Sequence, residues 1–106
     1  MTKVSFETNG DMISKLVISG HSGYADEGSD IVCAAVSSSV NLAASVLECG
    51  GAKFSMKVGK KTATVILEVE DGELGQTVMK ALKKELCALA ADYPDNVKVT
   101  AAERIR

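Results

Sequence analysis

Hydrophobic and polar residues alternate from the start of the chain. Residues 2–8 (TKVSFET) alternate and carry β-branched and aromatic side chains, as a half-buried strand does. Asn9-Gly10 follows and predicts a type I′ hairpin turn, because both central residues of that turn need positive φ. Residues 12–19 (MISKLVIS) then form the second strand. The pattern breaks at residues 20–30, GHSGYADEGSD, a polar run punctuated by Gly20, Gly23 and Gly28. A loop of that length in a small domain tends to be functional or disordered. From 31 to 48 the period becomes helical, with Val32, Val36, Val40, Ala43 and Leu47 on one stripe, Ser29 or Asp30 as N-cap and Gly50-Gly51 as the stop. A second hairpin spans 52–58 and 61–70 around Gly59-Lys60. Asp71-Gly72 opens a second helix over 73–92, striped by Val78, Leu82, Leu86 and Leu89 and ended by Pro94. The tail from 96 to 106 is a last strand. The order ββαββαβ predicts an α+β fold of two layers, two helices on a largely antiparallel sheet. The two ββα halves are similar in order but share no residue-level repeat.

Length and composition narrow the class. The 106 residues suit a single domain, residues 1–106, with one core. Hydrophobic residues at 46% and charged residues at 25% are ordinary for a globular protein. Only 4% are aromatic, so Val, Leu, Ile and Ala must build the interior. A net charge of −2 argues against direct nucleic-acid binding, which wants clustered cations. Lys60–Lys61 and Lys83–Lys84 sit in mixed surroundings and suit a solvated turn and helix face. No stretch approaches the roughly 18 apolar residues of a membrane span. The start, MTKVSFETNG, lacks the apolar block of a signal peptide, so the expected location is the cytoplasm, off the membrane. Three cysteines in no disulfide-like pattern fit a reducing compartment.

The chemistry concentrates where the glycine loop meets the first helix. Cys33 falls in the first helical turn, where unpaired N–H groups and the helix dipole stabilise a thiolate. The single histidine, His21, lies twelve residues earlier at the other end of the loop. The spacing permits imidazole and sulfur to meet without requiring it. If they meet, Cys33 attacks a carbonyl, His21 serves as general acid and base, and N–H groups of the helix start hold the oxyanion. Otherwise Cys33 is a small buried hydrophobe and His21 an exposed loop residue. Asp30 has two available roles, capping the helix or orienting His21, and capping is favoured.

Other chemistries fit less well. Cys33 and Cys49 lie sixteen residues apart on one helix, roughly 24 Å of rise, so they share neither a metal nor a disulfide within a chain. Cys87 flanks the stripe of the second helix and is expected in the core. With no CxxC or HxxxH pair, no metal is expected; no cofactor is expected either. The loop lacks a P-loop lysine and carries Asp26, Glu27 and Asp30, which repel phosphate and suit a cationic ligand.

Residues 20–37, GHSGYADEGSDIVCAAVS, closely resemble the signature of the ribosomal-processing cysteine proteases known as Prp, a G-H-x-G-Y-A loop followed by a G-x-D-I-V-C-A-A-V-S helix start. The element order and length fit that family over nearly the whole chain. The resemblance implies a Cys–His dyad at Cys33 and His21, with Gly20, Gly23, Gly28, Asp30 and Ser37 as loop and site architecture. Ser22 stands where the family often has Ala and is expected to touch neither dyad role. Family members, in Firmicutes and related bacteria, remove a short N-terminal extension from the large-subunit ribosomal protein L twenty-seven, a step tied to ribosome assembly. That extension is apolar with aromatic residues before the cut and lysines after it. The resemblance also implies a homodimer, which agrees with the small residues of AAVSSSVNLAAS in the first helix, and a glycine loop that orders around substrate. Two rivals remain: a non-catalytic ribosome-associated binding module, and a thiol-dependent enzyme acting on a small molecule.

Overall fold

The computed structural model describes residues 1–26 and 30–103. Its elements are β1 (Thr2–Asn9), β2 (Met12–Ser19), α1 (Ile31–Cys49), β3 (Phe54–Gly59), β4 (Thr64–Val69), α2 (Glu73–Asp92) and β5 (Val97–Glu103). The sheet order is β3-β4-β2-β1-β5. All neighbours are antiparallel except β1 and β5, which run parallel. A parallel neighbour demands a crossover. Here α2 supplies it, carrying the chain from β4 over β2 and β1 to the far edge. The expected two-layer α+β arrangement is the one observed, with one parallel pair making the sheet mixed.

Both hairpins differ in detail from the expectation. A register shift at Glu7/Thr8 leaves Asn9 paired with Met12, so the first turn is Gly10-Asp11. Only Gly10, at φ 62, is left-handed there, which is the φ pattern of type II′ rather than I′. In the second hairpin β4 starts at Thr64, not at residue 61, because residues 60–63 form a longer turn with Ala63 at φ 49.

The core lies between helices and sheet. Val4 and Phe6 of β1, Leu16 and Ile18 of β2, Leu67 of β4 and Val97 of β5 point into it. They meet Val32, Val36, Val40, Ala43 and Leu47 of α1 and Val78, Met79, Leu82 and Leu86 of α2. Phe6 and Leu67 are fully buried, each contributing on the order of 1.5–3 kcal/mol. Met79 takes a core position that the predicted stripe omits, and Leu89 is only partly buried. Cys87 is exposed, contrary to expectation: it follows Leu86, and one residue turns the helix by about 100°. The α2 helix is fastened to the sheet by the Gln76 amide, which accepts from the Ile13 N–H (2.7 Å) and donates to the Ile13 carbonyl (2.9 Å).

By length and composition α1 is apolar enough to cross a membrane, with a mean hydropathy of 1.6, contrary to the expectation that no segment is. Its inner stripe packs into the core. Its outer side carries Ile31, Leu42 and Val46, exposed by 56%, 67% and 41%.

Candidate active site

The end of β2, the start of β1 and the turn before β5 meet at one end of the strands, because Lys3 pairs with Ser19 and Thr2 with Val97. The glycine loop leaves from that end. Gly20 is held from both sides: its N–H donates to the Ala63 carbonyl (3.1 Å) and its carbonyl accepts from Thr2 Oγ1 (3.5 Å). Its φ is +85, and a Cβ would stand 2.5 Å from the Met1 carbonyl oxygen. Glycine is therefore required twice, by backbone conformation and by space. Gly23 is also left-handed (φ +72) but faces open space. Gly28 lies outside the described residues, as does Glu27.

At the other end of the loop Asp30 caps α1. Its Oδ1 accepts from the N–H groups of Val32 (3.0 Å) and Cys33 (2.9 Å), and its carbonyl accepts from the Ala34 N–H (3.1 Å). Its Oδ2 accepts from the Ser22 hydroxyl. The hydrogen bond from Ser22 is the main reason the Asp30 carboxyl is held down at about 2; the Cys33 N–H acts the same way, and partial desolvation opposes both. Capping is thus the role Asp30 has. With both oxygens engaged inward, it is not among the acids the loop displays; among the described residues Asp26 is the exposed one.

The same bonds correct the expectation for the oxyanion. The N–H groups of Val32, Cys33 and Ala34 already have partners, so the helix start does not offer them to a ligand. The donor aimed at the sulfur comes from the loop instead: the Ser22 N–H lies 3.3 Å from Cys33 Sγ. Ser22 was expected to touch neither dyad role, yet it is 1% exposed and bonded on every side. Its hydroxyl donates to Asp30 and accepts from the Tyr24 N–H (3.2 Å), and its carbonyl accepts from Asn96 Nδ2 (3.0 Å). Tyr24 meets Tyr93 edge-on, ring centroids 5.5 Å apart. Asn96 and Tyr93 carried no signal in the sequence, since nothing local distinguishes them and their partners lie some seventy residues away.

His21, Cys33, Gly20 and Ser37 line one groove of about 300 Å³. Cys33 is half-buried, and His21 and Ser37 are exposed. Ser37 is one turn beyond Cys33 on the same side of α1. Beyond this polar end the wall is apolar, built from Ile18, Val36, Val40, Met56 and Val65, with Lys60 also lining it. Cys49 and Cys87 are elsewhere, exposed and free. Among the described residues no three His, Cys, Asp or Glu side chains converge as metal ligands. The groove joins a thiol at a helix N-terminus, an N–H on its sulfur, an imidazole and an apolar wall. Those parts suit nucleophilic attack on the carbonyl of an apolar segment.

Known structures share the architecture. The ribosomal processing protease Prp of S. aureus, in complex with a covalently linked product peptide, is similar with a TM-score of 0.89 at 17% identity, covering 96% of this chain and 100% of that one. The same protease with a substrate peptide gives 0.85 at 15%, with the same coverage. SMU.848 from Streptococcus mutans gives 0.82 at 22%, covering 98% and 96%. At these identities the likeness speaks for the fold. No curated protein sequence matches the chain. The family model for the cysteine protease Prp matches residues 1–98, and with it this chain belongs to the Prp family of cysteine proteases.

Proposed function

We propose that this chain is a cytoplasmic endopeptidase that removes the short N-terminal extension of the large-subunit ribosomal protein L twenty-seven, in support of ribosome assembly. The observation that carries the reading is Cys33 on the first turn of α1, with a backbone N–H on its sulfur and His21 on the same groove. The Cys33 thiolate adds to the scissile carbonyl carbon. As the C–N bond breaks, His21 gives its proton to the leaving amine and a thioester remains. His21 then takes a proton from water, whose oxygen attacks the thioester and releases the carboxylate product and the thiolate. The apolar wall beside Cys33 suits apolar and aromatic side chains before the cut, and exposed Asp26 suits lysines after it. The S. aureus protease was solved with a substrate peptide and with a covalently linked product peptide, which supports a peptide over a small molecule.

The same reading includes a homodimer formed through the outer side of α1. Ile31, Leu42 and Val46 lie within about 60° of one another around the helix and are solvent-exposed in the single chain. Small residues between them let a second backbone approach closely.

A peptide spanning the extended N-terminus of the ribosomal protein, read by mass spectrometry, tests the activity. A single cut, absent from Cys33→Ser and His21→Ala, is the expected result. Binding without cleavage by the intact chain would replace the enzyme with a binding module.

A further inference from the structure

We infer that Asn96 is a positioning residue for Cys33, acting through the backbone of Ser22. The inference rests on the reading of Cys33 as the nucleophile. The Ser22 N–H on Cys33 Sγ helps only while the loop holds Ser22 in place, and residues 20–26 carry no helix or strand. Among the described residues, hydrogen bonds from three directions hold the loop. The hydroxyl is tied to Asp30, at the start of the helix that carries Cys33. Gly20 is tied to Thr2 and Ala63 on the strands. The Ser22 carbonyl is tied to Asn96 Nδ2 at 3.0 Å. The Asn96 contact anchors that carbonyl to a different part of the fold.

Asn96 is itself well fixed. Its N–H donates to the Tyr93 carbonyl (3.0 Å), and its carbonyl accepts from the Thr2 N–H (2.8 Å). It therefore spans the turn between α2 and β5 and the first residue of β1, and from there reaches the loop. Tyr93, in the same turn, braces Tyr24 two residues past Ser22. A side-chain amide suits the task because it donates to a carbonyl without adding charge beside a thiolate. Loss of the amide frees the Ser22 carbonyl, lets the loop backbone rotate, and takes the N–H off the sulfur. A charge-assisted hydrogen bond of this kind is among the stronger ones, so its loss disfavours the thiolate.

The titratable groups around the sulfur are His21 and Asp30 on the loop side and Lys60 across the groove, among the described residues. Asn96 does not titrate. A change in the pH profile on its removal thus reports the hydrogen bond to sulfur, which a merely structural role would leave alone.

The test is iodoacetamide alkylation of Cys33 across pH, followed by mass spectrometry, in the full chain and in Asn96→Leu and Asn96→Ala. Peptide cleavage kinetics are run alongside. The expected result is a Cys33 alkylation curve displaced to higher pH in both variants, with Cys49 unmoved as the internal reference. The value of kcat should fall about tenfold, the loss of roughly one hydrogen bond to an ionised group, with KM changed less than twofold. Asn96→Leu keeps the size while losing the donor and adds no charge, so it decides if Asn96→Ala melts without cooperativity. A folded Asn96→Leu whose Cys33 curve superimposes on the wild type overturns the inference. Alkylation needs no substrate, so absence of cleavage by the wild type would sink the peptidase reading while the Cys33 curve still tests Asn96.

Discussion

Gly20→Ala is the perturbation whose cost the geometry defines best. Four described glycines, Gly10, Gly20, Gly23 and Gly51, share a left-handed backbone, but a Cβ at Gly10, Gly23 or Gly51 meets nothing within 4 Å. There the change costs about 1–2 kcal/mol of backbone strain, partly offset by roughly 0.4–1 kcal/mol from a less flexible unfolded chain. At Gly20 the new Cβ lies 2.5 Å from the Met1 carbonyl oxygen, well inside the 3.4 Å at which ordinary contact begins. Relief must come from backbone. Moving residues 1–2 stretches the Thr2 N–H bond to Asn96, and moving residue 20 stretches the Gly20 N–H bond to Ala63. Either loss adds on the order of 1 kcal/mol. The expected total is about 1–2.5 kcal/mol, a fall in melting temperature of roughly 5–20 °C for a chain of this size. His21 is the next residue, so peptide cleavage should fall more than tenfold, while Gly10→Ala cleaves at the wild-type rate. Thermal unfolding by circular dichroism and the cleavage assay would be run on the unsubstituted chain, Gly20→Ala and Gly10→Ala. Should Gly20→Ala melt within about 0.5 kcal/mol of Gly10→Ala, the clash is absorbed without cost and the account of this loop origin is wrong.

Two further predictions concern the cap and the outer face of α1. The Asp30 carboxyl is lowered from 3.8 to about 2, so it favours the folded state fully above about pH 4, and that contribution is lost as pH falls toward 2. Ser22→Ala removes the main cause, so acid unfolding followed by circular dichroism should begin at higher pH; an unchanged acid midpoint would count against the Ser22–Asp30 bond. Leu42→Lys, at a position 67% exposed, should leave the melting of the single chain within about 0.5 kcal/mol and shift sedimentation from dimer to monomer. A variant that stays dimeric would move the interface off this face.

The sequence was most legible where chemistry is local. Asn9-Gly10, the stripe from Val32 to Leu47 and the stop at Pro94 placed seven elements within a few residues of their observed ends. It misled where a neighbouring strand decides the outcome. The shift at Glu7/Thr8 moved the first turn by one residue, and the longer turn through Ala63 delayed β4. In the site, the residues contiguous with the loop were visible because motif and helix cap lie in one stretch. The bond of Asp30 to Ser22 was not, since a serine in a polar loop gives no sign of being buried. Asn96 and Tyr93 were invisible for a deeper reason. Only the parallel pairing of β1 with β5 brings their turn to the loop, and pairing between distant strands leaves no periodic trace.

That pairing also orders events in time. Thr2 and Val97 stand at opposite ends of the described chain, and closing a loop that long costs about 4 kcal/mol of entropy before any contact repays it. Contacts of such sequence separation slow folding. Synthesis delivers His21 and Cys33 first, and Asn96 and β5 follow some sixty residues later. A nascent chain therefore carries its thiol long before the brace that steadies the loop around it. Maturation of the groove waits until β5 docks against β1.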